Sequence, residues 1–233
     1  MTDAPNPQWL ERANRLALTS ALLSTTVHEV NNALQVISGS AEMLHASPPP
    51  DIMGRRTDAI GAHARRASAL LAELSAFARD DSTASMVLDL AQVGQRALSM
   101  RQYAMAKLKL ESVFEAAGDA RTVVATQRVL LQIVLNLVLN AEQALSQTGG
   151  GRIAMVVRGE RGSVTLSVED DGRGVPADVV PQLFTPLAFA GDGRLGIGLA
   201  VADYLAKRYG GTLEHAPRAP HGARFTVTLP VSQ

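Results

Sequence analysis

Residues 28–32, which read His-Glu-Val-Asn-Asn, place three chemically useful side chains within about one helical turn. A solvent-exposed imidazole is mostly neutral at cellular pH, so a ring nitrogen of His28 can act as a nucleophile. The adjacent carboxylate of Glu29 can fix the tautomer and accept the departing proton. Asn32 shares a helix face with His28 and could hold a water molecule or a partner's phosphoryl group. Taken alone, the segment also fits a solvated helix histidine.

Two asparagines, Asn136 and Asn140, lie one turn apart in a very apolar segment. Buried amides are costly unless their hydrogen bonds are satisfied. Their carbonyl oxygens could bind a hard cation such as Mg²⁺, which keeps several waters and bridges substrate phosphates. A buried amide network is the alternative.

The segment 168–174 ends an alternating strand and contains Asp170, Gly172 and Gly174. A carboxylate at a strand end can accept hydrogen bonds from the exocyclic amine of adenine, where guanine has an acceptor. The glycines permit positive φ and a close ligand approach. An ordinary acidic turn is the alternative.

Two further glycines, Gly196 and Gly198, open a helix whose unpaired N–H groups and positive dipole end suit a phosphate. Between this helix and the acidic turn, Phe184 lies in a loop rich in small residues. We interpret that loop as a mobile lid.

Two long helices must position the histidine. The first is predicted over residues 9–45 and the second over 51–79, and the prolines at 48–50 separate them. The apolar positions of the first helix follow the seam of a coiled coil or a four-helix bundle: Leu16, Leu23, Val27, Val30, Leu34, Ile37, Ala41 and Leu44. Because one hairpin would expose this seam, we predict that two copies form a dimeric four-helix bundle. The alternative is a hairpin that packs on its own C-terminal domain.

The remainder of the chain predicts an α+β domain. We expect strands over 86–90 and 109–116, helices over 91–107, 125–146 and 197–209, a hairpin that turns at 161–162, and a final hairpin. The side chains of the two hairpins that are predicted to face the core of this domain are Ile153, Met155, Val157, Val164, Leu166, Val168, Phe225, Val227 and Leu229. The predicted domains are therefore 9–79 and 86–231, the second an α/β sandwich.

Composition excludes several classes of protein. The chain has 233 residues, of which 46% are hydrophobic, so wholesale disorder is excluded. Lys+Arg and Asp+Glu both total 22, which argues against nucleic-acid binding. The absence of cysteine excludes disulfides and thiolate sites. The polar N-terminus is not a secretory signal, and the longest apolar stretch, 129–141, is too short to span a bilayer. We expect a cytoplasmic protein without membrane contact.

The order of these motifs resembles the boxes of two-component sensor histidine kinases, and most closely the nitrogen-regulatory type. The resemblance implies a dimerising hairpin in which His28 accepts phosphate, Glu29 assists proton transfer and Asn32 supports phosphatase activity. It also implies a Bergerat-fold domain that binds ATP and Mg²⁺. There Asn140 would bind the metal and Asn136 would support the phosphate region.

The remaining roles in that domain follow from the same resemblance. Asp170 would recognise adenine, and Gly172 and Gly174 would shape the nucleotide pocket. Phe184 would anchor the lid, and Gly196 and Gly198 would contact phosphates.

The sequence departs from the family pattern at several positions. Ala33 stands where proline is usual, Asp171 replaces an asparagine in the adenine turn, and residues 187–189 replace the usual lid sequence. Arg194 occupies the position of the first glycine of the phosphate loop. We expect this arginine to contact the nucleotide and to supply the positive charge that the lid lacks.

We therefore expect an ATP-dependent autokinase that transfers its phosphoryl group to the receiver domain of a separate response regulator and also dephosphorylates that regulator. The motifs fill nearly the whole chain, so we expect the input to come from a separate sensor protein unless the chain is a fragment of a longer one. The altered lid favours an alternative, a phosphotransfer adaptor with a weakened ATP-binding domain. A Bergerat-type ATPase, an anti-sigma-type protein-serine kinase and a structural dimerisation module are further alternatives.

Overall fold

The computed structural model describes residues 6–45, 49–79, 84–119, 121–146, 148–160, 162–188 and 196–232. Its contacts divide the chain into two compact units. The hairpin unit comprises Thr19–Asp80, and the sheet unit comprises Met1–Leu18 together with Asp81–Gln233. The first turns of helix α1 (Pro7–His45) therefore belong to the sheet unit, although the helix continues into the hairpin unit. The sequence had instead placed the start of the hairpin domain at residue 9.

The hairpin unit consists of the rest of α1 and helix α2 (Pro50–Ala78). Pro50 fits the first turn of α2 because the N–H that it lacks would have no helical acceptor there. One face of each helix is covered, with Leu22 and Ala33 buried on α1 and Leu74 and Phe77 on α2.

The predicted seam occupies a different face of α1. Leu23, Val27 and Leu34 expose 48%, 46% and 52% of their surface. A single chain leaves these seam positions uncovered, as expected for a seam that needs a second copy. The dimer itself stays a prediction.

Among its described residues, the sheet unit contains, besides a short 3-10 helix at Val180–Gln182, seven strands and three further α-helices. In chain order they are β1 (Met86–Asp89), α3 (Leu90–Lys107), β2 (Leu110–Ala117), β3 (Thr122–Ala125), α4 (Gln127–Leu145), β4 (Gly151–Glu160), β5 (Ser163–Asp170), α5 (Gly198–Arg208), β6 (Thr212–Pro217) and β7 (Ala223–Pro230). Five strands form one mixed sheet in the order β2-β4-β5-β7-β6, in which only the β2–β4 pair is parallel. β1 and β3 form a separate antiparallel pair.

The core lies between the large sheet and the helices α3, α4 and α5. Inward side chains alternate with outward ones along the strands, as the sequence predicts. Met155, Leu166 and Val227 are fully buried. Arg101 of α3 and Glu142 of α4 form a buried bidentate pair at 2.9 and 2.6 Å. This pair fixes α4, the helix that carries both candidate asparagines, against α3.

The predicted boundaries in this unit differ from the observed ones by one or two residues, and two of the differences have a clear physical reason. The sequence predicts that the apolar helix begins at residue 125, whereas residues 122–125 form β3 and α4 begins at Gln127. β3 is short and runs into the apolar helix after a single residue, so no change of period marks the border. Lys109 was expected in a strand, but its φ of 57° places it in a turn before β2.

Within the described ranges, none of the helices is long and apolar enough to cross a membrane.

Candidate functional site

A buried carboxylate stands at the end of β5. Asp170 exposes only 2% of its surface, and its Oδ1 accepts a hydrogen bond from the N–H of Gly172 at 3.0 Å. Burial raises the pKa of the Asp170 carboxyl above its ordinary value, and hydrogen bonds from the backbone of Gly172 and Ala223 oppose that rise. A carboxylate has about four lone-pair sites, so it can accept a further hydrogen bond from a ligand donor such as the amine of adenine.

The turn after β5 only partly matches its prediction. Gly174 adopts the positive φ expected of it, at 73°. Gly172 does not, and the reason for glycine there is space: a Cβ would lie 2.9 Å from Oδ1 of Asp170. Asp171, which departs from the family pattern, accepts a hydrogen bond from the N–H of Arg152 at 2.7 Å. Its carboxylate therefore fixes the turn to the start of β4.

The loop between β6 and β7 supports this turn, and sequence reasoning did not include it. The Nδ1 atom of His221 lies 3.2 Å from the carbonyl oxygen of Gly172. Gly222 has a φ of 111°, and a Cβ on it would overlap the carbonyl oxygen of Asp170. The one local signal in the sequence was a glycine just before a strand, which does not identify the turn that it contacts.

Replacement of Gly222 by alanine should therefore be strongly destabilising. The added methyl group would force Asp170 away from β7, and we expect the free energy of unfolding to fall by about 3 kcal/mol or more in urea titrations. Gly162→Ala is the matched control, because Gly162 also has positive φ, 85°, but a Cβ there meets nothing within 4 Å. The control should lose only about 1 kcal/mol. Equal losses in the two variants would contradict the role assigned to the contact with Asp170.

A buried amide network surrounds Asn136 on α4. Its Oδ1 accepts a hydrogen bond from Nδ2 of Asn14 at 2.8 Å, and its Nδ2 donates to Oδ1 of Asn14 at 2.9 Å and to the carbonyl oxygen of Gln132 at 3.0 Å. Gln132 also donates to Oδ1 of Asn14 at 2.8 Å. Both N–H groups of Asn136 are thus used within the protein. The sequence left open whether this asparagine belongs to an amide network or to a ligand site.

Asn14 was not singled out from the sequence, although a signal for it existed. It interrupts an apolar stripe at helical spacing, between Leu10 and Leu18, and a polar residue in such a stripe needs a buried partner.

Asn140 lies one turn further along α4 and is half-buried. Within the described part of the chain its side chain makes no hydrogen bond, so its carbonyl oxygen remains able to bind a ligand. The described residues hold no group of three His, Asp or Glu side chains that could bind a metal ion alone. One amide oxygen fits Mg²⁺, which takes most of its remaining ligands from water and substrate phosphates.

The start of α5 packs directly against this network. A Cβ on Gly198 would lie 2.9 Å from Oδ1 of Asn136, so glycine allows the two helices to approach. The structure thus brings together Asn136 and one of the predicted phosphate-binding glycines. The N–H of Leu187 donates to the carbonyl oxygen of Gly196 at 3.0 Å, which joins the lid to the helix start. Phe184 is half-buried, and Arg194 lies outside the described residues.

The hairpin unit holds the second group of candidate residues. His28 and Asn32 are exposed on α1, as their shared helix face predicts. Glu29 is 9% exposed, and its Oε2 accepts a hydrogen bond from Nη2 of Arg66 on α2 at 2.9 Å. The carboxylate is therefore held in a fixed place next to the histidine in sequence. The arginine was missed because a helix pair gives no register from sequence alone.

Two family models match this chain in the order of its two groups of candidate residues. Residues 19–83 match HisKA, the His Kinase A (phospho-acceptor) domain. Residues 125–233 match HATPase_c, the ATPase domain that resembles those of histidine kinases, DNA gyrase B and HSP90. The chain belongs to the two-component sensor histidine kinases. The family expected from the sequence is confirmed, and the chain carries its phospho-acceptor and ATPase domains.

Individual relatives agree with this family. The histidine kinase core is 31% identical to the C4-dicarboxylate transport sensor protein DctS of Rhodobacter capsulatus over 96% of this chain. It spans 35% of that relative's length. The catalytic domain of the histidine kinase ThkA aligns with 64% of the chain and 99% of its own, with 22% identity and a TM-score of 0.58.

A complex of ThkA with the response regulator protein TrrA also matches, over 100% of this chain and 68% of the other. Its identity is 19% and its TM-score is 0.55. These solved structures confirm the predicted fold class, a helical N-terminal region followed by an α/β domain.

Proposed function

We propose that this chain is an ATP-dependent autokinase that phosphorylates His28 and passes the phosphoryl group to an aspartate of a separate response regulator. The observation that carries the proposal is that one chain contains both features: an exposed His28 in the hairpin unit, and a buried Asp170 in the ATPase domain. One provides a nucleophile in reach of solvent, and the other a carboxylate suited to adenine.

The residues take the following parts in the reaction. Asp170 accepts a hydrogen bond from the adenine amine, and the backbone N–H groups at Gly196 and Gly198 receive phosphate. The imidazole of His28 attacks the γ-phosphorus in line, and ADP leaves as the new N–P bond forms. Glu29, held by Arg66, accepts the proton released from the other ring nitrogen.

Positioning and charge neutralisation provide most of the rate enhancement in such a transfer. Asn140 would hold Mg²⁺, whose charge neutralises the phosphates. The amide of Asn140 supports this part because the described contacts leave it without another partner, whereas both N–H groups of Asn136 are in use.

We propose a response regulator as the protein partner. The ThkA–TrrA complex supports this partner by analogy of fold. Asn32, one turn from His28 and exposed, would orient a water molecule towards a phosphoaspartate of that regulator and so give the chain phosphatase activity as well.

We also propose that the chain acts as a homodimer. The seam on α1 supports this, because Leu23, Val27 and Leu34 lie exposed on a helix face at bundle spacing. The match of residues 19–83 to a phospho-acceptor domain also supports dimerisation.

The test of the proposed function is incubation of the purified chain with ATP labelled at the γ-phosphate, followed by mapping of the labelled residue. The expected product is acid-labile and carries its label on a peptide that contains His28. Acid-stable label would point to a protein-serine kinase instead. Nucleotide binding without any label would favour an ATPase, and the absence of binding would favour the adaptor.

A further inference from the structure

The first turns of α1 form a docked helix on the sheet unit. We call residues 7–18 the docking segment. Its buried side chains follow one stripe of the helix: Leu10, Glu11, Asn14, Arg15 and Leu18. The opposite face of the segment is exposed, and Trp9 and Leu16 there expose 57% and 64% of their surface. One side of the segment thus packs on the rest of the sheet unit, and the other side faces water.

Glu11 ties this segment to two helices at once. Its Oε2 lies 2.8 Å from Nη1 of Arg208 at the end of α5, and its Oε1 lies 3.4 Å from Nη1 of Arg128 at the start of α4. Glu11 exposes only 8% of its surface, so salt in solution screens these two ion pairs less than it screens pairs on the surface. The backbone carbonyl of Glu11 also accepts a hydrogen bond from Gln132 at 3.0 Å.

Asn14 bonds to Asn136, which the family resemblance places at the phosphate region of the nucleotide site. It exchanges two hydrogen bonds with Asn136, and Gly198 closes the other side of that amide. Asn136 is 5% exposed in this arrangement. Both N–H groups of Asn136 are engaged, so a phosphate oxygen would have to displace Asn14 or the carbonyl of Gln132 before it could accept a hydrogen bond from Asn136.

Docking of this segment leaves some buried polar atoms without a hydrogen bond. Gln132 Oε1 and Arg128 Nε are buried without a hydrogen-bond partner in the described part of the chain. Each such atom carries a cost, because it has given up water without a replacement. This cost offsets part of the free energy that the other contacts contribute. Opening the docked state therefore requires less free energy than the number of its hydrogen bonds suggests.

We propose that the docking segment competes with ATP for Asn136, so that this core binds nucleotide fully only when Glu11 and Asn14 leave α4. The proposal rests on the proposed function in taking ATP as the nucleotide, and on the family resemblance in placing Asn136 at the phosphate region. Competition for one group is a coupling between two binding events, and it acts equally in both directions. ATP must therefore loosen the docking segment to the same extent that the segment weakens ATP binding. Because the segment is the start of the helix that carries His28, any input that pulls on α1 from its N-terminus would reach the nucleotide site through Asn14.

The first test measures ATP affinity in the full chain by calorimetric titration with Mg²⁺ present. The variant Glu11→Gln/Asn14→Ala should bind ATP about tenfold more tightly than the unmodified chain, because a larger share of molecules has Asn136 available. The same variant should unfold at a lower temperature without nucleotide, because it lacks buried contacts. A purely structural contact would lower stability without raising affinity. Gln8→Ala, which is exposed on the same segment, is the control and should change neither quantity.

The second test uses the absence of cysteine from the chain. A thiol placed by Leu10→Cys is buried in the docked state, where Leu10 is 6% exposed. Its rate of modification by a maleimide should be slow and should rise several-fold when ATP and Mg²⁺ are added. Ala17→Cys, on the exposed face, should react quickly in both conditions. This measurement keeps Glu11 and Asn14 in place, so it remains decisive if the double variant folds poorly.

The outcomes separate this proposal from the proposed function. Tighter ATP binding by a folded double variant together with faster modification of Leu10→Cys in ATP supports competition even where His28 takes no label. Unchanged or weaker binding by a folded double variant overturns it, as does a modification rate that ATP leaves unchanged. If neither the unmodified chain nor the variant binds ATP, the competition proposal is overturned as well.

Discussion

Replacement of His28 by alanine should reduce incorporation of the γ-phosphate from ATP to background. The imidazole is the proposed nucleophile, and alanine offers no nitrogen to form the N–P bond. Because the side chain is exposed on a helix and alanine is the best helix former, the fold should be retained. ATP affinity should stay the same, because Asp170 and the start of α5 belong to the other unit.

His45→Ala is the matched control for this prediction. His45 is also exposed on α1, at its last residue, and its loss should leave labelling intact. The His28 variant and the control should be compared with unmodified protein in one labelling time course and in one thermal melt. Undiminished label on the His28 variant would remove this residue as the phosphate acceptor. Loss of label in both variants would mean that the helix, and not the imidazole of residue 28, is required.

Local pattern predicted much of the sheet unit. The alternation in β4, β5 and β7 identified their inward faces, since the period of a strand fixes which side chains point one way. Asp170 could be chosen because a strand end, a carboxylate and two nearby glycines follow one another in sequence. The exposed face of His28 and Asn32 followed from helical spacing alone.

Contacts between distant segments could not be predicted in this way. Asn14 and Asn136 are 122 residues apart, and nothing local to either names the other. A polar residue in an apolar stripe predicts only that a partner exists. The same holds for Arg66 beside Glu29 and for Gly222 beside Asp170, where the chain returns to a site from a different element. The sequence therefore identified which residues carry chemistry better than it identified what holds them.

Asp170→Asn should have opposite effects on the free protein and on its complex with ATP. Burial raises the pKa of this carboxyl, which means that the folded state disfavours its charged form. At neutral pH the ionised carboxylate therefore costs folding stability, and this cost disappears as the pH falls through the raised pKa. The pKa is raised even with the hydrogen bonds from Gly172 and Ala223 included, so a neutral amide avoids a net cost, and its oxygen can still accept the bond from Gly172. The melting temperature without nucleotide should thus equal or exceed that of unmodified protein at pH 7, and the difference should shrink in acid.

ATP binding should be lost in the same variant. Both the amide N–H group and the adenine amine are donors, so the amide cannot replace a carboxylate as the acceptor. The variant loses a charged hydrogen bond and leaves the adenine amine unpaired. We therefore expect its affinity for ATP to fall by roughly a hundredfold or more, which is enough to abolish the thermal shift that ATP and Mg²⁺ produce. Asp178→Asn, an exposed acid in the following loop, is the control and should keep the full shift. GTP should produce little shift in unmodified protein, because guanine presents an acceptor to the same carboxylate. A full ATP shift in Asp170→Asn would place adenine recognition elsewhere, whereas loss of the shift in a variant that melts no lower than the unmodified chain cannot be explained by misfolding.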